Sequence, residues 1–431
     1  TIGKFNMILQ DNQVLSKLLG IPGLKINFIS QDTNGDTIIR ATSTLHGTKC
    51  HVCGEHICKP CASGPPIKLR HTPIWGNKTY IRITPLRYVC EHCANKSTTT
   101  QVVDWYEQKC SCTKQYEKHI LLLLINSTIQ DVSIKEDISY DVVEGILERN
   151  ISTQITWEDI KELKYLGIDE ISIKKGHKDF VVIVTTMIEG KLKILAVLKN
   201  REKATVKKFF NKIPWRLRQT VQIVCSDLYI GFINAAKEVF GKKVQVVADR
   251  FHVAKLYREK LDNVRKKEMR RLKKELPKNE YEKLNNVMWI LRKSPTELSE
   301  EELKKLKLLF KHSNDLKLSY NLSTDMTAIF NMKITSTQAK RKMNTWINHV
   351  RKSGLTCFDS FIKTLTNHMK EITNYFNGRM NSGFVEGANN KIKVLKRRCY
   401  GLSNSAHLFQ RIKLDFEGYA MFSNKNSTLC C

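Results

Sequence analysis

Residues 221–252 constrain this chain more than any other stretch. They read VQIVCSD, LYIGFINAAKEVFG and KKVQVVADRFH: an apolar, β-branched run ending in Asp227, a helical segment, and a second apolar run ending in Asp249. A strand–helix–strand alternation of this kind predicts parallel strands in an α/β sheet. An ionised acid at the end of a buried strand costs several kcal/mol unless something positive sits against it. The carboxyl ends of parallel strands are also where open α/β sheets place their ligands. Two acids in that position mark a candidate site.

The neighbouring segments extend the sheet and add acids. YLGIDEISIKKG, DFVVIVTTMI and KLKILAVLKN read as three strands of an antiparallel meander, with Gly176 and Gly190 in the connections, and REKATVKKFFNKI reads as a helix. The expected order is β-β-β-α-β-α-β-α, with Asp169 inside the first strand. Far downstream, helical spacing through NSGFVEGANNKIKVLKRR sets Glu386, Asn390, Lys393 and Arg397 on one face. Asp169, Asp227 and Glu386 are then three carboxylates that suit hard divalent ions. Phosphodiester cleavage uses two such ions about 3.5–4 Å apart, one activating the nucleophile and one stabilising the leaving oxygen. Asp249 and His252 form an Asp-x-x-His pair that reads either as support for that site or as a strand-end acid with a packed histidine.

Charge identifies the partner class. The chain carries 72 Lys plus Arg against 42 Asp plus Glu, a formal net charge of +30. Such a surplus favours a polyanion and implies steep salt sensitivity, with roughly 6–10 phosphate contacts losing about 10³–10⁵ in affinity between 50 and 200 mM salt. Residues 253–377 read as helical and basic, and VRKKEMRRLKKEL is an extreme case. SPTELSEEELKKLKLLF signals a helix start at Ser294 and Pro295. Trp289 and Trp346 are expected in the core of this region.

Eight of the 13 cysteines fall between residues 50 and 112, a clustering that suggests metal binding over disulfides. Cys50, Cys53, Cys90 and Cys93 form two Cys-x-x-Cys knuckles with the donor set of a structural Zn²⁺ site. Cys58 and Cys61, with Cys110 and Cys112, are candidates for a second Zn²⁺, with His51, His56 and His92 as substitutes. The region suits either a reader of DNA ends or a strut. Beyond it, QYEKHILLLLIN, IQDVSIKEDI and SYDVVEGILERN read as helices, the last two resembling a helix-turn-helix with Ser139 as a cap. The second of these carries Asp141, Glu144 and Glu148 against Arg149, an acidic face equally compatible with a protein partner.

GIDEISIKKG, CSDLY with VVADRFHV, and NSGFVEGANNKIKVLKRRCYGLSN resemble the core motifs of bacterial insertion-sequence transposases of the ISL-three family, over about residues 45–415. The resemblance implies an α/β ribonuclease-H-like catalytic core with a large all-α insertion, preceded by a zinc-binding region and a helix-turn-helix. It implies DDE transposition: strand cleavage at terminal inverted repeats, then strand transfer by the freed 3′-OH. It carries over the triad Asp169, Asp227 and Glu386, holding two Mg²⁺ (or Mn²⁺) ions, with one or two structural Zn²⁺ elsewhere. Asn390, Lys393, Lys396, Arg397 and Arg398 are the expected DNA contacts.

The expected boundaries are an N-terminal helical segment over 1–45, a zinc-binding domain over 46–112 and a helix-turn-helix over 113–155. The core follows in two parts, 160–252 and 378–420, around a basic helical insertion over 253–377. Double-stranded DNA, both inverted repeats and target, is the expected partner, and synapsis of two ends implies a homodimer or higher oligomer. TIGKFNMILQ lacks the charged start and long apolar core of a secretory signal, and the longest apolar run, residues 120–125, is too short to span a bilayer. A cytoplasmic, nucleoid-associated bacterial protein is expected. Two rivals share the acids: a domesticated, inactive DNA-binding protein, and a ribonuclease-H-like nuclease, which leaves the cysteine region and basic helices unexplained.

Overall fold

The computed structural model describes residues 19–21, 23–172, 180–379, 383–399 and 404–423, with the side chains of 383–386 outside that set. It divides into two compact units, residues 1–152 with 413–431, and residues 153–412. Among the described residues no helix is long and apolar enough to cross a membrane.

The first unit opens on strands where the sequence reading expects a helical segment over 1–45. Residues 1–18 lie outside the described residues, but β1 (Leu24–Gln31) and β2 (Thr37–Ser43) form a hairpin. Its turn is closed by Asp32, whose side chain accepts from the backbone N–H of Asn34 and Asp36. The non-local partner decides the outcome. β2 pairs in parallel with β7 (Asn77–Ile83), which pairs with β6 (Ile67–Ile74). Leu24, Ile26, Ile39, Leu69 and Ile81 then share one buried face.

Short strands carry the cysteines: β3 (Thr48–Lys49) with β4 (His56–Ile57), and β5 (Pro60–Ser63) with β8 (Leu86–Val89) and β9 (Thr98–Thr100). Three helices follow, α1 (Lys114–Leu124), α2 (Ile129–Glu136) and α3 (Tyr140–Asn150), each started by a hydroxyl cap: Thr113, Thr128 and, as the sequence suggests, Ser139. Arg149 donates to the buried Glu117 at 2.6 Å, so the base that opposes the acids of α3 is already engaged. Residues 413–422 also belong here and not to the core part expected over 378–420. Leu414 is buried in the helical cluster, Asp415 accepts from Asn126 N–H and Lys413 donates to the Ser152 carbonyl.

The second unit holds a five-stranded sheet of β10 (Tyr165–Ser172), β11 (Phe180–Ile188), β12 (Lys191–Leu198), β13 (Ile223–Ser226) and β14 (Gln245–Ala248), in the order β12-β11-β10-β13-β14. β10, β11 and β12 are an antiparallel meander, and β13 and β14 join in parallel. α4 (Lys203–Lys212), the short α5 (Trp215–Arg218) and α6 (Ile230–Phe240) cover one face through Phe210, Phe232 and Ala236.

The basic helices begin with α7 (Arg250–Glu275) and continue through α8 (Lys278–Glu282), α9 (Val287–Ile290), α10 (Glu300–His312), α11 (Asn314–Asn331), α12 (Ser336–Ser353), α13 (Asp359–Asn367) and α14 (Met369–Thr373). They are not a separate body. Tyr257, Met326, Trp346 and Phe361 share one core with Val247 and Ala248 of β14. The Ser294 signal yields only a single 3-10 turn, and α10 starts at a second capping box, Ser299 with Glu302. Trp346 is buried as expected, but Trp289 is 58% exposed. The described chain closes with α15 (Gly383–Arg398) and α16 (Ser405–Phe422).

Candidate active site and metal centre

Parallel register builds the site. Gly167 on β10 pairs with Cys225 on β13, so two residues further on Asp169 stands level with Asp227. Ser226 pairs with Ala248 on β14, so Asp249 continues the row. Adjacent strands lie about 4.8 Å apart, which sets neighbouring acids within reach of a common ligand. Asp169 and Asp227 are half-buried, and loss of water pushes both carboxyls above the usual carboxylate range. Their mutual repulsion adds to the rise at Asp169.

What holds them is neutral. Asp169 accepts from the Glu170 N–H at 2.7 Å and Asp227 from the Tyr229 N–H at 3.0 Å. The Asn389 side-chain amide on α15 donates to the other oxygen of Asp169. No ion pair reaches either acid among the described residues, and the Asn389 Oδ1, buried, has no partner among them. Two desolvated carboxylates without a counter-cation are a donor set fitted to a divalent metal. Glu386 lies on the same helix as Asn389, but its side chain is outside the described residues.

Asn389 is the residue that the sequence reading missed. It sits three residues beyond Glu386, as close to that face of the helix as Asn390, which is exposed. Lys393 and Arg397 are exposed too, whereas Lys396 donates to the Ser172 carbonyl and Arg398 is half-buried.

Asp249 differs from its neighbours in the row. It is 8% exposed and caps α7, accepting from the Phe251 N–H at 2.9 Å, while its other oxygen meets His252 Nδ1 at 3.0 Å. That hydrogen bond, with the field of the three acids, raises the His252 pKa above its ordinary value. Arg201, also absent from the sequence reading, pairs with Glu170 at 3.4 Å and lends positive potential to Asp227.

In the first unit, the sulfurs of Cys50, Cys53, Cys90 and Cys93 lie within 4.8 Å of one another. Cys50 to Cys93 is 3.8 Å and Cys53 to Cys90 is 3.6 Å. Tetrahedral Zn²⁺ with bonds of about 2.3 Å needs sulfurs about 3.8 Å apart, so the four thiols can hold zinc. The Ser97 hydroxyl at 3.5 Å and the Val52 N–H at 3.4 Å favour the thiolate of Cys50, whose pKa falls to about 5. The second zinc set is not assembled. Among the described residues no other group of three or more candidate ligands comes together. Cys61 donates to the Arg87 carbonyl on β8, while the chain at Ser111 is tied to Arg70 on β6, in a different sheet.

Two outcomes follow from these geometries. A raised carboxyl keeps its proton to higher pH when folded than when unfolded, so its favourable contribution is complete at acid pH and lost as pH rises through the folded value. Asp227→Asn removes that cost at neutral pH and keeps an oxygen for the Tyr229 N–H. Without added magnesium or manganese its melting temperature is expected to exceed that of the parent by roughly 2–4 °C, about what 1 kcal/mol produces in a unit of this size, with the gap closing toward pH 4. A lower melting temperature at neutral pH would mean that the carboxylate stabilises the fold. For the cysteines, replacing Cys50 and Cys53 by serine should cut bound zinc, measured by elemental analysis, from about one ion per chain to near zero. Cys58→Ser with Cys61→Ser should leave it unchanged, and loss of zinc there would restore the second site.

A transposase family model matches residues 166–412, more than half of the chain. The transposase for insertion sequence element IS1001 of Bordetella parapertussis is 23% identical over 413 residues, covering 95% of this chain and 99% of that protein. The transposase for insertion sequence element IS1557 of Mycobacterium tuberculosis is 22% identical over 348 residues, covering 76% and 77%. The matched span runs from β10 through the row of aspartates to the end of the second unit, and it is on that span that the chain belongs to the ISL-three family of insertion-sequence transposases.

Proposed function

We propose that this transposase binds the terminal inverted repeats of its element and performs metal-dependent strand cleavage followed by strand transfer. The observation that carries the reading is the level placement of Asp169 and Asp227 on adjacent parallel strands, desolvated and without an ion pair among the described residues. The strand order, with an antiparallel meander followed by two parallel strands, supports a ribonuclease-H-like core interrupted by the basic helices.

Asp169, Asp227 and Glu386 would hold two divalent ions, Mg²⁺ or Mn²⁺. These supply activation of the attacking water or 3′-OH and stabilisation of the leaving oxygen. The protein's own part is positioning. Asn389 fixes one oxygen of Asp169 without adding charge, leaving the carboxylate free to meet a cation. The Asp249–His252 pair caps α7 beside the acids, and the Asp249 hydrogen bond with the field of the acids favours the protonated imidazole there. Asn390, Lys393 and Arg397, exposed along α15, grip the DNA backbone, while Lys396 ties the helix to the Ser172 carbonyl and Arg398 is half-buried. In the first unit, α2 and α3, joined through Asp137 in a left-handed conformation, support the helix-turn-helix reading. The acids of α3 favour a protein contact over phosphate there. Two chains would meet when two ends are brought together.

Asp169→Asn, Asp227→Asn and Glu386→Gln are each expected to abolish cleavage of a labelled end-bearing duplex while binding, measured by anisotropy, stays within a few-fold. Full cleavage by any one would remove that residue from the triad. Asn389→Ala should lower cleavage by about 10–100-fold, the usual effect of losing a group that orients a metal ligand.

A further inference from the structure

Beside the row of acids, α7, α9 and α15 enclose a cleft of about 590 Å³ whose floor takes no part in the chemistry above. Leu261 and Leu291 make that floor, both nearly fully buried. The rim is mixed but basic in balance: Lys255 and Arg258 come from α7 and Lys393 from α15, against Glu259 and an Asp262 already paired with Arg265. None of the three bases Lys255, Arg258 and Lys393 has an ion-pair partner among the described residues. One exposed ring, Phe251, lines the cleft, and a second, Trp289, stands outside the lining beside Arg292. Phe251 is 51% exposed, next in the chain to the His252 that borders both cleft and acids. Trp289 is 58% exposed on α9, and the Arg292 guanidinium, itself lining the cleft, lies 4.9 Å from its ring centre.

Apolar floor, cationic rim and exposed rings together describe a particular ligand. A duplex offers phosphates to the rim but keeps its base faces stacked, so exposed aromatic rings gain nothing from it. An unpaired strand offers both phosphates and base faces, and base–aromatic stacking tolerates any sequence. The volume falls within the roughly 300–1,000 Å³ of single small-ligand sites, room for a nucleotide or two. The geometry points to a site for unpaired DNA: the cleft takes one or two nucleotides of a single strand by stacking on Phe251, with phosphates on Lys255, Arg258 and Lys393, and the strand leaves it over Arg292 to stack on the flanking Trp289. Its position next to His252 makes the strand displaced at the cleaved element end the natural occupant. Only that last step rests on the proposed transposase reading.

The test compares two labelled octadeoxynucleotides on the full-length chain without magnesium or manganese at fixed low salt. One carries bases and the other is abasic with the same phosphates. The parent should bind the base-bearing strand about tenfold more tightly, within the range of one stacked base. W289A should erase the preference and W289F should keep most of it. Trp289 is exposed, so its replacement leaves the core untouched, which circular dichroism would verify. Equal binding of both strands by the parent, a preference that survives W289A, or tighter binding of RNA of the same sequence would each overturn the assignment. A blunt duplex bearing the element's ends separates the two readings. Loss of duplex binding beside an intact base preference would sink the transposase reading and leave the cleft standing, and the reverse pattern would sink the cleft alone.

Discussion

The site depends on the repulsion between two carboxylates that the sheet forces to stand level, Asp169 within β10 and Asp227 just past the end of β13. Burial withdraws water from both, and no ion pair among the described residues relieves them. The nearby bases are already engaged. His252 is held by Asp249 and Arg201 by Glu170, so each acts on the acids through its field without closing on them. The direct contacts are backbone N–H groups and the neutral amide of Asn389. An arginine in place of that amide would form a salt bridge, lower the carboxyl pKa and occupy the space a cation needs. The arrangement costs stability locally, and the apolar clusters on both faces of the sheet supply it.

Asp249 shows how one row of like acids is divided between tasks. It lies next to Asp227 in register, yet it is the N-cap of a 26-residue helix and hydrogen-bonds a histidine. The positive end of that helix and the imidazole compensate its charge, which leaves no surplus for a metal. The helix it starts then carries the cationic rim of the neighbouring cleft. One carboxylate thus anchors the direction of the element that lines the neighbouring cleft.

Sequence was most informative where chain-local physics decides. The strands β10 to β14 are short β-branched apolar runs, and acids at the ends of two of them mark the site in the sequence itself. The reading failed where a distant partner decides. A helical segment is expected over 1–45, yet residues 24–43 are strands because β7, some forty residues later, offers a strand to pair with. Asn389 and Asn390 look alike on a helical wheel, and only the docking of α15 against β10 selects the former. Ser294 and Ser299 are both good capping boxes, five residues apart. The second wins because Leu306 and Leu309 then face the core.

The cysteines make the same point in a harder case, because three knuckles share one spacing and only two of them converge. Cys50 and Cys53 leave β3 while Cys90 and Cys93 leave β8, and the Cys90 N–H bond to the Ser97 carbonyl folds the second knuckle back over the first. The apolar cluster beneath them is Ile57 and Tyr88 with the cysteines themselves. So small a core cannot offset the backbone entropy of a loop-rich segment. Something else must hold these strands, and the four sulfurs, all within 4.8 Å of one another, are placed to do so around an ion. A metal at these sulfurs would therefore act as the missing core of the segment, coupling its folding to zinc.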